Sequence, residues 1–207
     1  YGMLTDEKFA ERAQEIYLFK NTDGKYFTFE EYDTLIKENQ TDKDKNIVSL
    51  YATDATEQFS YIEKAKAKGY DVLLMDGQLD THFINHLEQK HADHKYFRVD
   101  SDVVEKLIQK EETRKSDLSE AEQDELRPVF SSQLPKDNGM FMVSFEALGE
   151  GSDPVVVTRS EFMRRMKEMS AHQQGMSFYG TMPDSYNLVV NTANSKVTDL
   201  MNELVSA

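Results

Sequence analysis

IVSLYATDATEQFSYIEKAKAKGYDVLLM, residues 47–75, decides the fold. Its ends are two apolar runs, IVSLYAT (47–53) and DVLLM (71–75), and neither alternates with polar residues as a strand with one wet face would. A strand that is apolar on both faces has to be covered on both faces. Between the runs, residues 55–68 are long enough for a helix, and Gly69 closes it, because glycine adopts the left-handed conformation past a helix end without a Cβ clash. Strand, helix and strand in this order form a crossover between parallel neighbours.

Working outward, the pattern repeats downstream, with a helix expected over residues 79–91 and a strand at KYFRV (95–99). Upstream, residues 5–20 read as a helix capped by Thr5, with Phe9, Ala13, Ile16 and Tyr17 on one face. NTDGK (21–25) then turns, a short helix spans 30–38, and QTDKDKN (40–46) is a polar loop. Residues 1–105 thus form a small, mostly parallel α/β unit. Residues 106–134 are a charged helical connector, in which Ser119 and Glu122 have capping-box spacing and Pro128 kinks or restarts the helix. Residues 135–207 read as an α+β unit: a hairpin of MFMVSFEAL and DPVVVT joined by GEGS, an amphipathic helix, a strand NLVV (187–190) and a helix from Ser195. The closing stretch KVTDLMNELVSA breaks off in an amphipathic pattern, which gives the expectation of a piece from a longer chain.

Thirty-eight acidic against twenty-four basic residues give a net charge of −14, a field that repels phosphate backbones and anionic lipid heads. Neither nucleic acid nor a membrane is an expected partner, and no apolar run reaches the length of a spanning helix. The absence of cysteine removes disulfides and thiolate metal sites and fits a reducing cytoplasm.

Few motifs carry chemistry. Asp42, Asp44 and Asn46 imitate the start of a calcium loop, but Ile47 stands where that loop needs glycine and Thr53 where it needs a bidentate glutamate. His82 and His86, one helical turn apart, could share a metal, although no third ligand is fixed beside them. There is no glycine-rich phosphate loop and no GxSxG elbow. What remains is a stripe of methionine in FMRRMKEMSAHQQGMSFYG (162–180), where Phe162, Met166, Met169, Gln173 and Met176 are spaced four, three, four and three, on one helical face. Such a stripe is either core or a soft surface that adapts to varied apolar partners, since methionine is unbranched and polarisable.

FTFEEY (27–32), IKENQ (36–40), IVSLYATD (47–54) and GYDVLLMDGQLDTHF (69–83) resemble the later part of the middle domain of the ninety-kilodalton heat-shock chaperone family in its bacterial form. The acidic connector, the Pro128 helix, RRMK (164–167) and LVVN (188–191) follow in the family's order, so the resemblance covers nearly the whole chain. Departures are Thr192 to Ser195, where the family has a proline and a histidine, and Asp80, Thr81 and His82, where it often has an acidic pair. The resemblance implies a cytoplasmic, homodimeric ATPase chaperone as parent, with ATP and magnesium bound elsewhere. This fragment would have no catalytic residues or cofactor of its own and would be compatible with a monomer. It also implies that Phe162, Met163, Met166, Met169, Met176, Phe178 and Tyr179 contact unfolded or partly folded client proteins. The rival expectations are a purely structural spacer, in which every apolar stripe is core, and a metal-binding protein built on the histidine cluster.

Overall fold

The computed structural model describes residues 17–110, 116, 118–135, 139–172 and 184–205, with isolated positions 2, 6, 8, 9 and 12; side chains of the last two helices are described as far as Lys167 and Leu204. It divides into two compact units, Tyr1–Glu111 and Glu112–Ala207.

In the first unit the run at 47–52 becomes a central strand. β3 (Ile47–Ala52) is buried at every position and lies between β4 (Val72–Leu74) and β5 (His94–Arg98), both parallel to it. Alternate residues of β3 therefore face two different cores. Ile47 and Tyr51 join Leu73 and Tyr96 under α1 (Phe29–Ile36) and α3 (Asp80–Lys90), with Tyr32, Ile36, Ile84 and Leu87 closing the layer. Val48, Leu50 and Ala52 join Val72 under α2 (Phe59–Ala67) and the short α4 (Val104–Leu107), through Ile62, Ala65, Leu107 and Ile108. Each crossover helix buries one apolar stripe, and a fully buried leucine such as Leu50 contributes roughly 1.5–3 kcal/mol. Gly69, at φ +78°, ends α2 as its position requires.

The expected helix over 5–20 does not extend to its end. Phe19–Lys20 is β1, paired antiparallel with β2 (Tyr26–Phe27), and the Phe19 ring is buried in the core under α1. The pairing wins because Asn21, buried at the turn, binds the Asp71 carboxylate at 2.8 Å and forms an antiparallel bridge to Leu73, which joins the hairpin to β4. Positions 2, 8, 9 and 12 are helical; Ala13 and Ile16 lie outside the described residues. α1 begins with a reciprocal capping box between Thr28 and Glu31.

In the second unit the expected hairpin is absent. β6 (Met140–Glu146) and β7 (Val155–Arg159) are not neighbours; β8 (Ser185–Asn191) lies between them, parallel to β6 and antiparallel to β7. The reason is burial: Val189 and Val190 are 2% and 0% exposed, so this strand needs cover on both faces and takes the middle place. One face of the sheet packs Val143, Phe145, Leu188 and Val190 against Leu126 of α5 (Glu120–Ser131) and Val197 of α7 (Ser195–Val205). α5 starts with the Ser119–Glu122 capping box and runs through Pro128 without ending. α6 (Glu161–His172) follows β7.

Candidate functional site

α6 carries the first half of the methionine stripe. Glu161 opens it and accepts hydrogen bonds from both Arg164 and Arg165, each at 2.6 Å. Burial works against ionising Glu161, but the two guanidiniums outweigh it and hold the carboxyl below its usual range. The three charged side chains are nearly sequestered, at 16%, 9% and 15% exposure, whereas Phe162 beside them is 68% exposed. Met163 and Met166 are half-buried. Met169 lies in the helix but its side chain is outside the described residues, as are Met176, Phe178 and Tyr179 altogether.

One turn beyond Met163, Lys167 pairs with Asp184 at 2.6 Å, and the carbonyl of Asp184 accepts the N–H of Met140 at 2.8 Å. This chain of contacts ties the second turn of α6 to the start of β6. There the structure shows two apolar side chains that the stripe did not include: Met140 and Met142, 60% and 64% exposed. They point away from the core face that carries Val143 and Phe145, as the strand's alternation dictates. A signal was present in MFMVSFE, whose two interleaved sets are Phe, Val, Phe and Met, Met, Ser, Glu. The second set grades from apolar to polar, and only its apolar end is left open. Arg127 of α5 closes the same strand's outer side by donating to the Val143 carbonyl and lying over the Phe145 ring.

The histidines gather differently from the expected pair. His94 is wedged between Asp33 and Asp93, at 2.8 and 2.9 Å, and its ring meets His91, which stacks on Phe29 with centroids 4.5 Å apart. His82 and His86 are half-buried on α3. Among the described residues no group of three or more histidine, aspartate or glutamate side chains is placed to hold a metal ion. Asp42, the head of the calcium-like loop, spends its carboxylate on Asn46 and Lys95. At the starts of α1 and α5 the backbone N–H groups of Thr28 and Ser119 donate to the carboxylates of Glu31 and Glu122, each at 2.8 Å. No helix among them is long and apolar enough to cross a membrane.

The fold is a mixed α/β architecture, and the family model for Hsp90 protein matches residues 1–207. The chain belongs to the Hsp90 family. The relatives it matches are bacterial chaperones named HtpG. It is 56% identical over 202 residues to that of Bacteroides fragilis strain YCH46, 54% over 204 to that of Bacteroides thetaiotaomicron, and 51% over 193 to that of Porphyromonas gingivalis. These alignments cover 97%, 98% and 93% of this chain but only 30%, 30% and 28% of the relatives, so the chain spans under a third of their length. Among solved structures, the middle domain of a Plasmodium falciparum heat shock protein aligns with 49% of this chain and 42% of its own, at 22% identity and a TM-score of 0.37.

Proposed function

We propose that this chain is the client-holding part of an ATP-dependent chaperone that assists protein folding. Its first unit corresponds to the later part of the middle domain and its second to the start of the carboxy-terminal domain. It acts by binding and by relaying domain motion; ATP and magnesium are handled by parts of the intact protein outside these residues, and the intact protein works as a cytoplasmic homodimer. The clients are unfolded or partly folded polypeptides, taken up on the α6 stripe of Phe162, Met163, Met166 and Met169 and its continuation at Met176, Phe178 and Tyr179.

The observation that carries the reading is Phe162, 68% exposed at the head of a methionine helix in a family whose matched members are named chaperones. Leaving a phenylalanine in water forgoes about 1.5–3 kcal/mol of burial, a cost that an apolar partner recovers. Methionine beside it suits partners of no fixed shape.

The test uses Phe162→Lys and the pair Phe162→Lys with Met166→Lys in the intact protein, with light scattering of a heat-unfolded reporter protein as the readout. The exposed single change alters stability by only about 0.5 kcal/mol, so lost suppression of aggregation reports binding rather than folding. Full suppression by both variants would overturn the reading and leave the unit a spacer.

A further inference from the structure

We infer that Met140 and Met142 form a reversible oxidation site, a pair of thioethers that hydroperoxides convert to sulfoxides without unfolding the sheet. The two residues are one alternation apart on β6, so their sulfurs stand on the same face with Cα atoms about 6.5–7 Å apart. At 60% and 64% exposure they are the most open of the six methionines whose side chains are described: Met163, Met166 and Met201 are half-buried, and Met75 is 6% exposed. Thioether oxidation follows exposure, so these sulfurs meet a solvent-borne oxidant first.

What distinguishes a switch from a lesion is the surroundings of the product. Met140 lies directly opposite Ser185 and Met142 opposite Asn187 in the parallel register with β8, and across Asn187 stands Thr158 of β7. Serine hydroxyl and asparagine amide both donate hydrogen bonds, and a sulfoxide oxygen accepts them. Neighbouring strands are about 4.8 Å apart, which puts those donors within reach of a long side chain. The oxygen therefore arrives beside the polar Ser185 and Asn187, at the end of a face that buries Val189 further along β8, and the core of Val143 and Phe145 lies on the other face. Met75 offers the contrast, since it packs among Tyr51, Leu73 and Ile84, where a new polar oxygen would be buried.

In the oxidation, a lone pair of the thioether sulfur attacks one oxygen of the hydroperoxide and the O–O bond breaks. Sulfur loses two electrons and gains the S–O bond, and the leaving oxygen takes up a proton as water or an alcohol. Reduction runs through a thiol-dependent sulfoxide reductase, in which two thiols become a disulfide and the sulfoxide oxygen leaves as water. The site stands on its own geometry. Its consequence, a loss of apolar surface beside α6 and weaker client holding during peroxide stress, rests on the proposed function.

The intact protein, treated with dilute hydrogen peroxide and mapped by peptide mass spectrometry, should gain oxygen at Met140 and Met142 roughly tenfold faster than at Met75. Its urea midpoint should stay unchanged after these two sites are converted. Equal rates at Met75, or a lowered midpoint, would overturn the site. For the consequence, wild type is compared with Met140→Leu/Met142→Leu, whose side chains are not oxidised by peroxide. Mild peroxide should cut aggregation suppression by wild type, the reductase should restore it, and the variant should keep it throughout. If the variant loses suppression as wild type does, the pair is not the switch. If untreated wild type suppresses nothing, the client reading and the switch's consequence fall together, while the mapping and stability results still decide the site.

Discussion

Asn191→Ala should cost the second unit about 2–4 kcal/mol, a large share of an ordinary domain's stability. Asn191 is 0% exposed and its amide group organises the link between β6 and β7. Its Oδ1 accepts the N–H groups of Leu148, at 3.0 Å, and Ala193, at 3.1 Å; its Nδ2 donates to the carbonyls of Gly149, at 2.8 Å, and Ser152, at 3.3 Å. Ser152 keeps a second donor in Asn194, so its carbonyl is not orphaned when Asn191 is cut back. The Gly149 carbonyl likewise keeps the Ser152 N–H, at 3.3 Å, so the amides of Leu148 and Ala193 are the two groups that lose their Asn191 partner. Each half-buried amide stranded in this way costs about 1–3 kcal/mol, and the two together give the stated range after partial relaxation towards water. Urea unfolding followed by circular dichroism gives the total, and amide hydrogen exchange locates it, with Leu148 and Ala193 losing protection first. Asn191→Asp should be no better than alanine, because it keeps both acceptor contacts but turns a carboxylate oxygen towards two carbonyls. A loss under about 1 kcal/mol for the alanine variant, or unchanged exchange at Leu148, would refute the reasoning.

Two further outcomes follow from single positions. Gly139 sits at φ +146°, and a Cβ there would stand 2.7 Å from the Asp184 carbonyl oxygen and 2.9 Å from the Tyr186 ring, so Gly139→Ala should destabilise the second unit by about 1–3 kcal/mol; a neutral urea midpoint would contradict this. His91 has a folded-state pKa lowered from 6.5, by burial first and then by the charges of His94 and Lys90. The unfolded chain therefore takes up this proton before the folded one, and the first unit loses stability as pH falls below 6.5 towards the folded value. His91→Phe, which keeps an aromatic on Phe29, should flatten the stability profile just below pH 6.5, and an unchanged slope would count against the assignment.

The first unit was legible because its central strand states its own position. IVSLYA is apolar on both faces, and that alone requires layers on each side and crossovers to supply them. β1 was not legible, since Tyr17 and Phe19 continue the apolar spacing of the residues before them. Nothing local reveals that Asn21 will find Asp71 fifty residues away. The same rule that read β3 would have read β8. NLVV is as continuously apolar as IVSL, whereas MFMVSFE alternates, so the middle of the second sheet belonged to the later strand. Proximity along the chain suggested a hairpin, and burial overrode it. The hydrogen bonds of Asn191 then hold the link that must pass from one side of β8 to the other.

The stripe on α6 was legible as a pattern but not as an orientation. An apolar face normally turns inward, and by that rule Phe162 should be covered and the arginines wet. The structure has the reverse at the helix start, because Glu161 can receive two guanidiniums at once and so makes a buried charged cluster tolerable where isolated charges would not be. Once that cluster occupies the inner side, Phe162 has nowhere to go but outward. Helical spacing therefore fixes which residues share a face, and the carboxylate at the first turn fixes which face meets water. Under the proposed function, Glu161 would act without touching a client: it stands behind the exposed aromatic and keeps it presented.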